Sequence, residues 1–143
     1  MKGFADILAL ARENVQNNPS LKNRPDIEMA LQYVAGLKDE VEEVKAEIKL
    51  NNLIHLEDEL SDIAWDYACI IATLEQGGFI DSAESVLKHG FKKYSERTPA
   101  FLTGDQPLWD SIKLNQKQEL KNRHQEKYGQ VWTKINGEIK LSC

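Results

Sequence analysis

Apolar residues recur every three or four positions along the first two thirds of the chain, which is the spacing of amphipathic helices. We expect each apolar stripe to pack into a shared core, as in a helical bundle. The stripe of the second helix includes Val34, Val41 and Ile48, and that of the third includes Leu60 and Tyr67. The pattern predicts four helices, over residues 4–16, 25–48, 54–75 and 81–98.

Helix-breaking and helix-capping residues mark the ends of these segments. Pro25 suits the first turn of a helix, where its missing N–H is not needed. Gly77-Gly78 is typical of a helix end. Asp81 and Glu84 have the spacing of a capping box and predict the start of the fourth helix. Thr98-Pro99 predicts its end, because proline cannot donate the next helical hydrogen bond.

The pattern changes in the last quarter of the chain. Residues 110–128 predict a polar, weakly periodic helix. Residues 131–141 alternate in polarity around Asn136-Gly137, a pair typical of tight β-hairpin turns. We therefore expect an all-α domain over residues 1–106, and a C-terminal extension, 107–143, containing a helix and a small β-hairpin.

Composition and charge limit the partners. The 143 residues carry a net charge of −5, which argues against a nucleic-acid polymer as partner, because such proteins present a basic face. No apolar run reaches the length of about 18 residues that a membrane helix needs, and the N-terminus does not resemble a signal peptide. Cys69 and Cys143 form neither a disulfide framework nor a zinc set, so we expect a reducing cytoplasm.

Two pairs of carboxylates stand out on the second and third predicted helices. Glu40-x-x-Glu43 and Glu59-x-x-Asp62 each share one helix face, because residues three apart are neighbours on a helix. In an antiparallel hairpin that turns at Asn51, Glu40 faces Asp62 and Glu43 faces Glu59. Four carboxylates at one level repel one another unless cations neutralise them. The spacing therefore predicts a metal site, although solvated surface acids remain the alternative.

The ligand types favour magnesium, with manganese as a substitute, over zinc or copper, since all the predicted ligands are oxygens. Glu47 and Asp66 lie on the same flank of their helices, one turn from the predicted ligands. Asp66 is the stronger candidate for a substrate contact because it lies deeper in the predicted bundle. Lys93 and Arg97 share one face of the fourth helix and could bind phosphate oxygens. Alternatively, they only complement the negative end of that helix.

Together these segments resemble one protein family. Residues 25–101 are similar to the MazG-like all-α nucleoside triphosphate pyrophosphohydrolases. Tyr94 stands where many members have asparagine, and the chain after Phe101 has no counterpart in the family. The segments that carry the resemblance are Asp39-Glu40-Val-Glu-Glu43, Glu59-Leu-Ser-Asp62-Ile and Lys93-x-x-x-Arg97-x-Pro99-Ala-Phe.

The resemblance implies a four-helix bundle that hydrolyses (deoxy)nucleoside triphosphates to the monophosphate and pyrophosphate with Mg²⁺, as a homodimer or a dimer of dimers. It implies that Lys93 and Arg97 contact phosphate. It also implies four metal ligands, Glu40, Glu43, Glu59 and Asp62. We take Glu43 as the first candidate for the general base. Two other functions stay open, namely a helical binding module with an acidic interaction face and a hydrolase of a non-nucleotide pyrophosphate.

Overall fold

A computed structural model of the protein describes residues 2–129, 131–135 and 138–142, with side chains for residues 2–129. The chain is helical up to residue 128, and a short 3₁₀ turn, Pro19–Leu21, follows the first helix. None of the described helices is long and apolar enough to cross a membrane. The helices are α1 (Phe4–Asn17), α2 (Asp26–Glu47), α3 (Leu53–Gln76), α4 (Ala83–Thr103) and α5 (Gln106–Tyr128).

Two short strands follow the helices. β1 (Val131–Ile135) and β2 (Glu138–Ser142) pair antiparallel, with Val131 opposite Ser142. The predicted Asn136-Gly137 turn lies outside the described residues. The chain divides into two compact units, Met1–Val86 and Leu87–Cys143. The four-helix bundle and the domain boundary at residue 106 stay predictions.

In the first unit α3 packs against both α1 and α2, and most of the buried core residues lie on α1 and α3. Small side chains on α3, at Ala68 and Ala72, are fully buried and allow α1 to approach closely. Burial of these apolar side chains stabilises the unit by roughly 25 cal/mol per Å² removed from water. The core comprises Leu8, Ala11, Val15, Met29, Ala68, Cys69, Ile71, Ala72 and Ala83.

Arg12 connects α1 to the end of α3 and the start of α4. Its guanidinium group donates two hydrogen bonds to the Glu75 carboxylate, each 2.9 Å long, and contacts Glu84 at 3.1 Å. Glu75 also accepts a 2.6 Å bond from the backbone N–H of Ala83. The hydrogen bond from Arg12 makes the largest contribution to lowering the pKa of Glu75. The network fixes where α4 begins relative to α1 and α3.

α2 and α3 form a hairpin whose turn is short. Asn51 adopts a left-handed backbone conformation with φ 57°, which asparagine tolerates better than most residues. Asn52 donates side-chain hydrogen bonds to the backbone carbonyl and the carboxylate of Glu47, at 2.9 and 2.6 Å. Further along the hairpin, a Cβ atom added to Gly36 would lie 2.9 Å from Oδ2 of Asp66. The turn and this close approach define the register of the two helices.

Part of the predicted core is exposed instead. Val34 and Val41 of α2 are 49% and 43% exposed, Ile48 directly after α2 is 66% exposed, and Leu60 of α3 is 49% exposed. The prediction that these residues pack in the core is wrong within a single chain. Because Met29 is the one α2 residue in the buried core cluster of the described residues, one side of the α2–α3 hairpin keeps its apolar residues on the surface.

The start and end of α4 differ from the sequence prediction. The capping box is formed by Ser82 and Ser85, whose side chains each accept the other's backbone N–H at 3.0 and 3.2 Å. Glu84 pairs with Arg12 instead of closing the predicted box. Pro99 lies inside the helix, which continues to Thr103, so the predicted end at residue 98 is also wrong.

α4 and α5 are joined by Gly104 and Asp105 alone. Gly104 has φ 67°, a left-handed conformation that glycine adopts without steric cost. The Asp105 carboxylate caps α5 by accepting the N–H of Leu108 at 2.9 Å. α5 therefore begins four residues before the predicted start. The rings of Phe101 and Trp109 lie 3.9 Å apart, so the last turn of α4 contacts the first turn of α5.

Candidate metal and nucleotide site

The α2–α3 hairpin brings carboxylates from both helices together. Glu40, Glu43 and Glu59 each contribute one oxygen to a group whose members lie within 4.8 Å of one another. Glu40 and Glu59 are half-buried, whereas Glu43 is exposed. The i, i+3 spacing on α2 puts two of these groups on one face, and the turn brings α3 alongside. Three of the four predicted ligands therefore share one site.

Glu40 is the most constrained of these acids. Its Oε2 atom is buried without a hydrogen-bond partner among the described residues. Its pKa is raised to about 7, first by a hydrogen bond with the Glu43 carboxylate and then by desolvation and neighbouring negative charge. Two ionised carboxylates cannot hydrogen-bond, so this contact needs either a shared proton or a cation between the oxygens. An unpartnered oxygen of this kind is a suitable ligand for a cation.

Glu59 and Asp66 also have a raised pKa. Burial raises the pKa of both groups, and the charge of Asp62 raises them further. Asp62 itself is exposed and lies outside the close group of three oxygens. Its negative charge acts on Glu59 and Asp66 by raising their pKa. Its assignment as a metal ligand stays a prediction.

Glu47 has a different role. Its carboxylate accepts the Asn52 amide and lies 3.5 Å from the ammonium group of Lys49. The hydrogen bond from Asn52 makes the largest contribution to lowering the pKa of Glu47. Because these partners satisfy the group at the hairpin turn, Glu47 is part of the turn.

Asp66 lines a cavity of about 210 Å³ in the first unit, together with Gln32 and Tyr33 of α2. Leu21 and Met29 supply an apolar wall. Polar groups beside an apolar wall suit one part of a small organic ligand, although the cavity is smaller than sites that enclose a whole drug-sized molecule. Two aromatic residues outside this cavity pack on other rings, as Phe4 stacks on Tyr67 at 5.8 Å and Trp109 lies against Phe101.

Lys93 and Arg97 lie in the second unit, where they line a separate cavity of about 240 Å³ between α4 and α5. Arg97 is buried, and its Nε donates a 2.7 Å hydrogen bond to Gln116. Sequence analysis did not identify the residues that α5 contributes to this cavity. Lys113 and Lys117 are four residues apart on α5, and this spacing was the signal in the sequence that they share one helix face.

A family model described as the MazG nucleotide pyrophosphohydrolase domain matches residues 29–102. The chain belongs to the MazG family. The matched MazG segment covers just over half of the 143 residues, and the resemblance seen in the sequence is confirmed. Comparisons with curated proteins and with solved structures gave no match.

The MazG match includes the acidic pairs of α2 and α3 as well as Lys93 and Arg97 of α4, whereas α5 lies beyond it. Membership in this family supports a pyrophosphohydrolase activity that acts on nucleotides and depends on a metal. The acids on this MazG hairpin fit such a metal. They offer carboxylate oxygens only, which suits a hard divalent cation, and one oxygen of Glu40 has no hydrogen-bond partner within residues 2–129.

Proposed function

We propose that the protein hydrolyses (deoxy)nucleoside triphosphates to the nucleoside monophosphate and pyrophosphate with Mg²⁺, in nucleotide pool control or removal of unwanted nucleotides. One observation carries the proposal: Glu40, Glu43 and Glu59 converge on one point of the α2–α3 hairpin, with one Glu40 oxygen left unpaired. A triphosphate bound there needs a cation, because phosphate and carboxylate otherwise repel each other.

The acids have distinct proposed roles. Glu40 and Glu59, which are half-buried, hold the cation with Glu43 and Asp62. When bound, Mg²⁺, or Mn²⁺ in its place, would neutralise phosphate charge and acidify a water molecule for attack on the α-phosphorus. Glu43 is the exposed member of the group and is the proposed acceptor of that water's proton.

Other residues bind the substrate in this proposal. Lys93 and Arg97 contact phosphate oxygens, because cationic side chains offer charge-assisted hydrogen bonds to them. Asp66 contacts the sugar or the base. Support for this role comes from its cavity, which Gln32 and Tyr33 line beside apolar side chains.

We also propose that the protein is a homodimer or a dimer of dimers in a reducing cytoplasm. Exposed apolar residues along α2 and directly after it support assembly, since Ile27, Val34, Val41 and Ile48 follow one another at intervals of seven and form one stripe. A continuous exposed apolar stripe is typical of a protein interface. The buried thiol of Cys69 is free, which suits a reducing compartment.

The direct test is incubation with a panel of canonical and modified nucleoside triphosphates and Mg²⁺, followed by product identification. We expect at least one substrate to give monophosphate and pyrophosphate, and EDTA to stop the reaction. Orthophosphate and diphosphate as first products would contradict the proposal.

Inactivity across the whole panel with either metal would also contradict it. A non-nucleotide pyrophosphate would then be the next substrate class to assay. If Mg²⁺ also failed to raise the melting temperature, the acidic face would fit a binding module better, because a specifically bound cation stabilises the folded state.

A further inference from the structure

The cavity between α4 and α5 is strongly basic in an acidic protein. The whole chain has a net charge of −5. The side chains around this cavity nevertheless comprise six lysines or arginines and one histidine, against two glutamates. The basic residues are His89, Lys92, Lys93, Arg97, Lys113, Lys117 and Arg123. A local excess of positive charge in a concave site concentrates anions.

Both acidic residues in the cavity already have a partner. Lys92 lies 3.5 Å from Glu96 and 3.6 Å from Glu119, and Glu96 also accepts a 2.7 Å hydrogen bond from Gln116. Within residues 2–129, no carboxylate pairs with the remaining lysines and arginines of the cavity. Those unpaired cations are Lys93, Arg97, Lys113, Lys117 and Arg123.

Arg97 shows that this site has an ordered structure. Its side chain is 8% exposed, so its charge is largely removed from water. Gln116 accepts the Nε–H bond and is itself held by a 3.2 Å bond to the Lys93 carbonyl. The guanidinium group lies 5.1 Å from the ring centre of Trp109. Burying a cation without an anionic partner is costly, so an anionic ligand would stabilise this arrangement.

We propose that this cavity binds a chain of two or three phosphates, and that Lys113, Lys117 and Arg123 of α5 contact it. Its volume of about 240 Å³ is below the range of about 300–1,000 Å³ typical of sites for drug-sized molecules, so it suits a compact anion. Among residues 2–129, no tyrosine, tryptophan or phenylalanine lines it. Single-stranded nucleic acid sites usually combine charge with such stacking surfaces, so their absence here favours an oligophosphate.

The cavity's role in catalysis rests on the proposed function, whereas its ability to bind anions does not. Pyrophosphate and the triphosphate group of a nucleotide share the relevant chemistry. α5 lies outside the family match, so these contacts would be particular to chains with such an extension.

Isothermal titration of the full-length protein with sodium pyrophosphate in EDTA tests the inference. The test variant is Lys113→Gln/Lys117→Gln. The control is Lys88→Gln/Lys121→Gln, which removes the same charge from exposed positions of α4 and α5 that do not line the cavity. We expect the wild type to bind pyrophosphate. The test variant should bind it at least about tenfold more weakly, since each of its two substitutions removes a charge-assisted contact. The control should stay within about twofold of the wild type, because an exposed charge outside the cavity adds little.

Failure of the wild type to bind pyrophosphate, or an equal loss in the control, would overturn the inference. Circular dichroism establishes that each variant is folded. A Glu40→Gln/Glu59→Gln variant should bind metal-free pyrophosphate like the wild type, and loss of binding there would place the anion at the carboxylates instead. Tighter binding of a short RNA than of pyrophosphate, lost in the test variant, would identify a nucleic-acid site.

Titrating the same proteins with a non-hydrolysable nucleoside triphosphate separates the two sources of phosphate. If the nucleotide binds more tightly than pyrophosphate, the cavity binds the triphosphate group of the substrate. If pyrophosphate binds more tightly than the nucleotide, the cavity binds free pyrophosphate. Pyrophosphate binding in a protein inactive on every nucleotide would defeat only the proposed function. Nucleotide hydrolysis without any such binding would defeat only the present inference.

Discussion

The Glu40 carboxylate has a position that is unfavourable without a cation. It lies beside Glu43 and Glu59, and its Oε2 atom has no hydrogen-bond partner among the described residues. Like charges that cannot separate destabilise the folded state and raise one another's pKa. The site therefore costs stability in the metal-free protein, and a bound divalent cation would recover it.

Substitution of Glu40 separates stability from activity. Glu40→Gln removes one of the repelling charges, so we expect the metal-free melting temperature to hold or rise. The stabilisation by Mg²⁺ should shrink, and nucleotide hydrolysis should fall by about a hundredfold or more, as for the loss of a strong electrostatic contact in a transition state. Thermal melts with and without Mg²⁺, together with initial rates, measure all three.

The matched control is Glu42→Gln, which changes an exposed acid whose partner is Lys45 at 2.8 Å. It should alter neither the Mg²⁺ response nor the rate. A near-wild-type rate in Glu40→Gln would show that the cluster consists of surface acids without a catalytic role.

The pKa of Glu40 also predicts how stability varies with pH. The folded state holds this proton up to a pKa of about 7, whereas the ordinary value is 4.5. Over this window the folded protein binds more protons than the unfolded chain, so the free energy of unfolding decreases as pH rises. Glu59 and Asp66 shift in the same direction.

We therefore expect the melting temperature in EDTA to fall between pH 4.5 and 7. The fall should be smaller in Glu40→Gln, which has no proton to lose there. A melting temperature that is constant or rises over this range would contradict the assignment of the raised pKa. Adding Mg²⁺ at the upper end of the range should reverse the loss.

At the scale of the elements, helical periodicity predicted α1, α2 and α3 to within one or two residues of their observed ends. The flank shared by the acidic pairs could be read from i, i+3 spacing alone, because it depends only on helix geometry. The end of α4 could not be predicted from the sequence in this way. Pro99 is a strong local signal, but the contact between Phe101 and Trp109 is a tertiary interaction that local sequence does not encode.

The contribution of α5 to the basic cavity was missed for a similar reason. Gln116 binds Arg97 across the two helices, and this pairing joins residues far apart in the sequence. A polar helix with lysines at intervals of four usually indicates a solvated face. Only the fold of the α4–α5 segment shows that Lys113 and Lys117 line a cavity.

The contact network of Arg12 should contribute measurably to the stability of the first unit. Arg12→Met removes the bidentate contact with Glu75 and leaves that half-buried carboxylate with the Ala83 N–H as its main partner. Because Arg12 is 37% exposed, solvent screens the pair, and we expect a loss of about 1 kcal/mol. Urea denaturation measures it.

Arg24→Met is the control for Arg12→Met, because Arg24 is exposed and forms no ion pair among residues 2–129. It should change the stability little, and neither variant should alter the stabilisation by Mg²⁺. Equal stability of the two variants would show that the Arg12 network contributes nothing in solution.

At the scale of the whole molecule, the exposed stripe on α2 is the feature that a single chain leaves unexplained. Ile27, Leu31, Val34, Val41 and Ile48 are each at least 43% exposed. Burying such a stripe against a second copy would remove apolar area from water on both sides. The stripe includes Val34, Val41 and Ile48, which the sequence predicted as core. In the proposed assembly a second copy would cover them.

Charge on this stripe should therefore disrupt the proposed assembly. Val34→Lys/Val41→Lys introduces two cations into the stripe, and we expect a monomer by light scattering after size exclusion. Ala35→Lys/Ala46→Lys adds the same charge at exposed positions roughly a quarter-turn away on α2, and it should keep the wild-type mass. A monomeric wild type, or equal dissociation of both variants, would exclude the stripe as the interface.

The close approach of Gly36 to Asp66 offers a way to move a charge without removing it. A Cβ atom at position 36 would lie 2.9 Å from the Asp66 oxygen, so even alanine requires that carboxylate to shift. The neighbour that must yield is a side-chain end and not the backbone, so the fold can persist while the carboxylate leaves its place. Positions 36 and 66 are therefore coupled, and Asp66 keeps its present orientation only while its neighbour on α2 has no side chain.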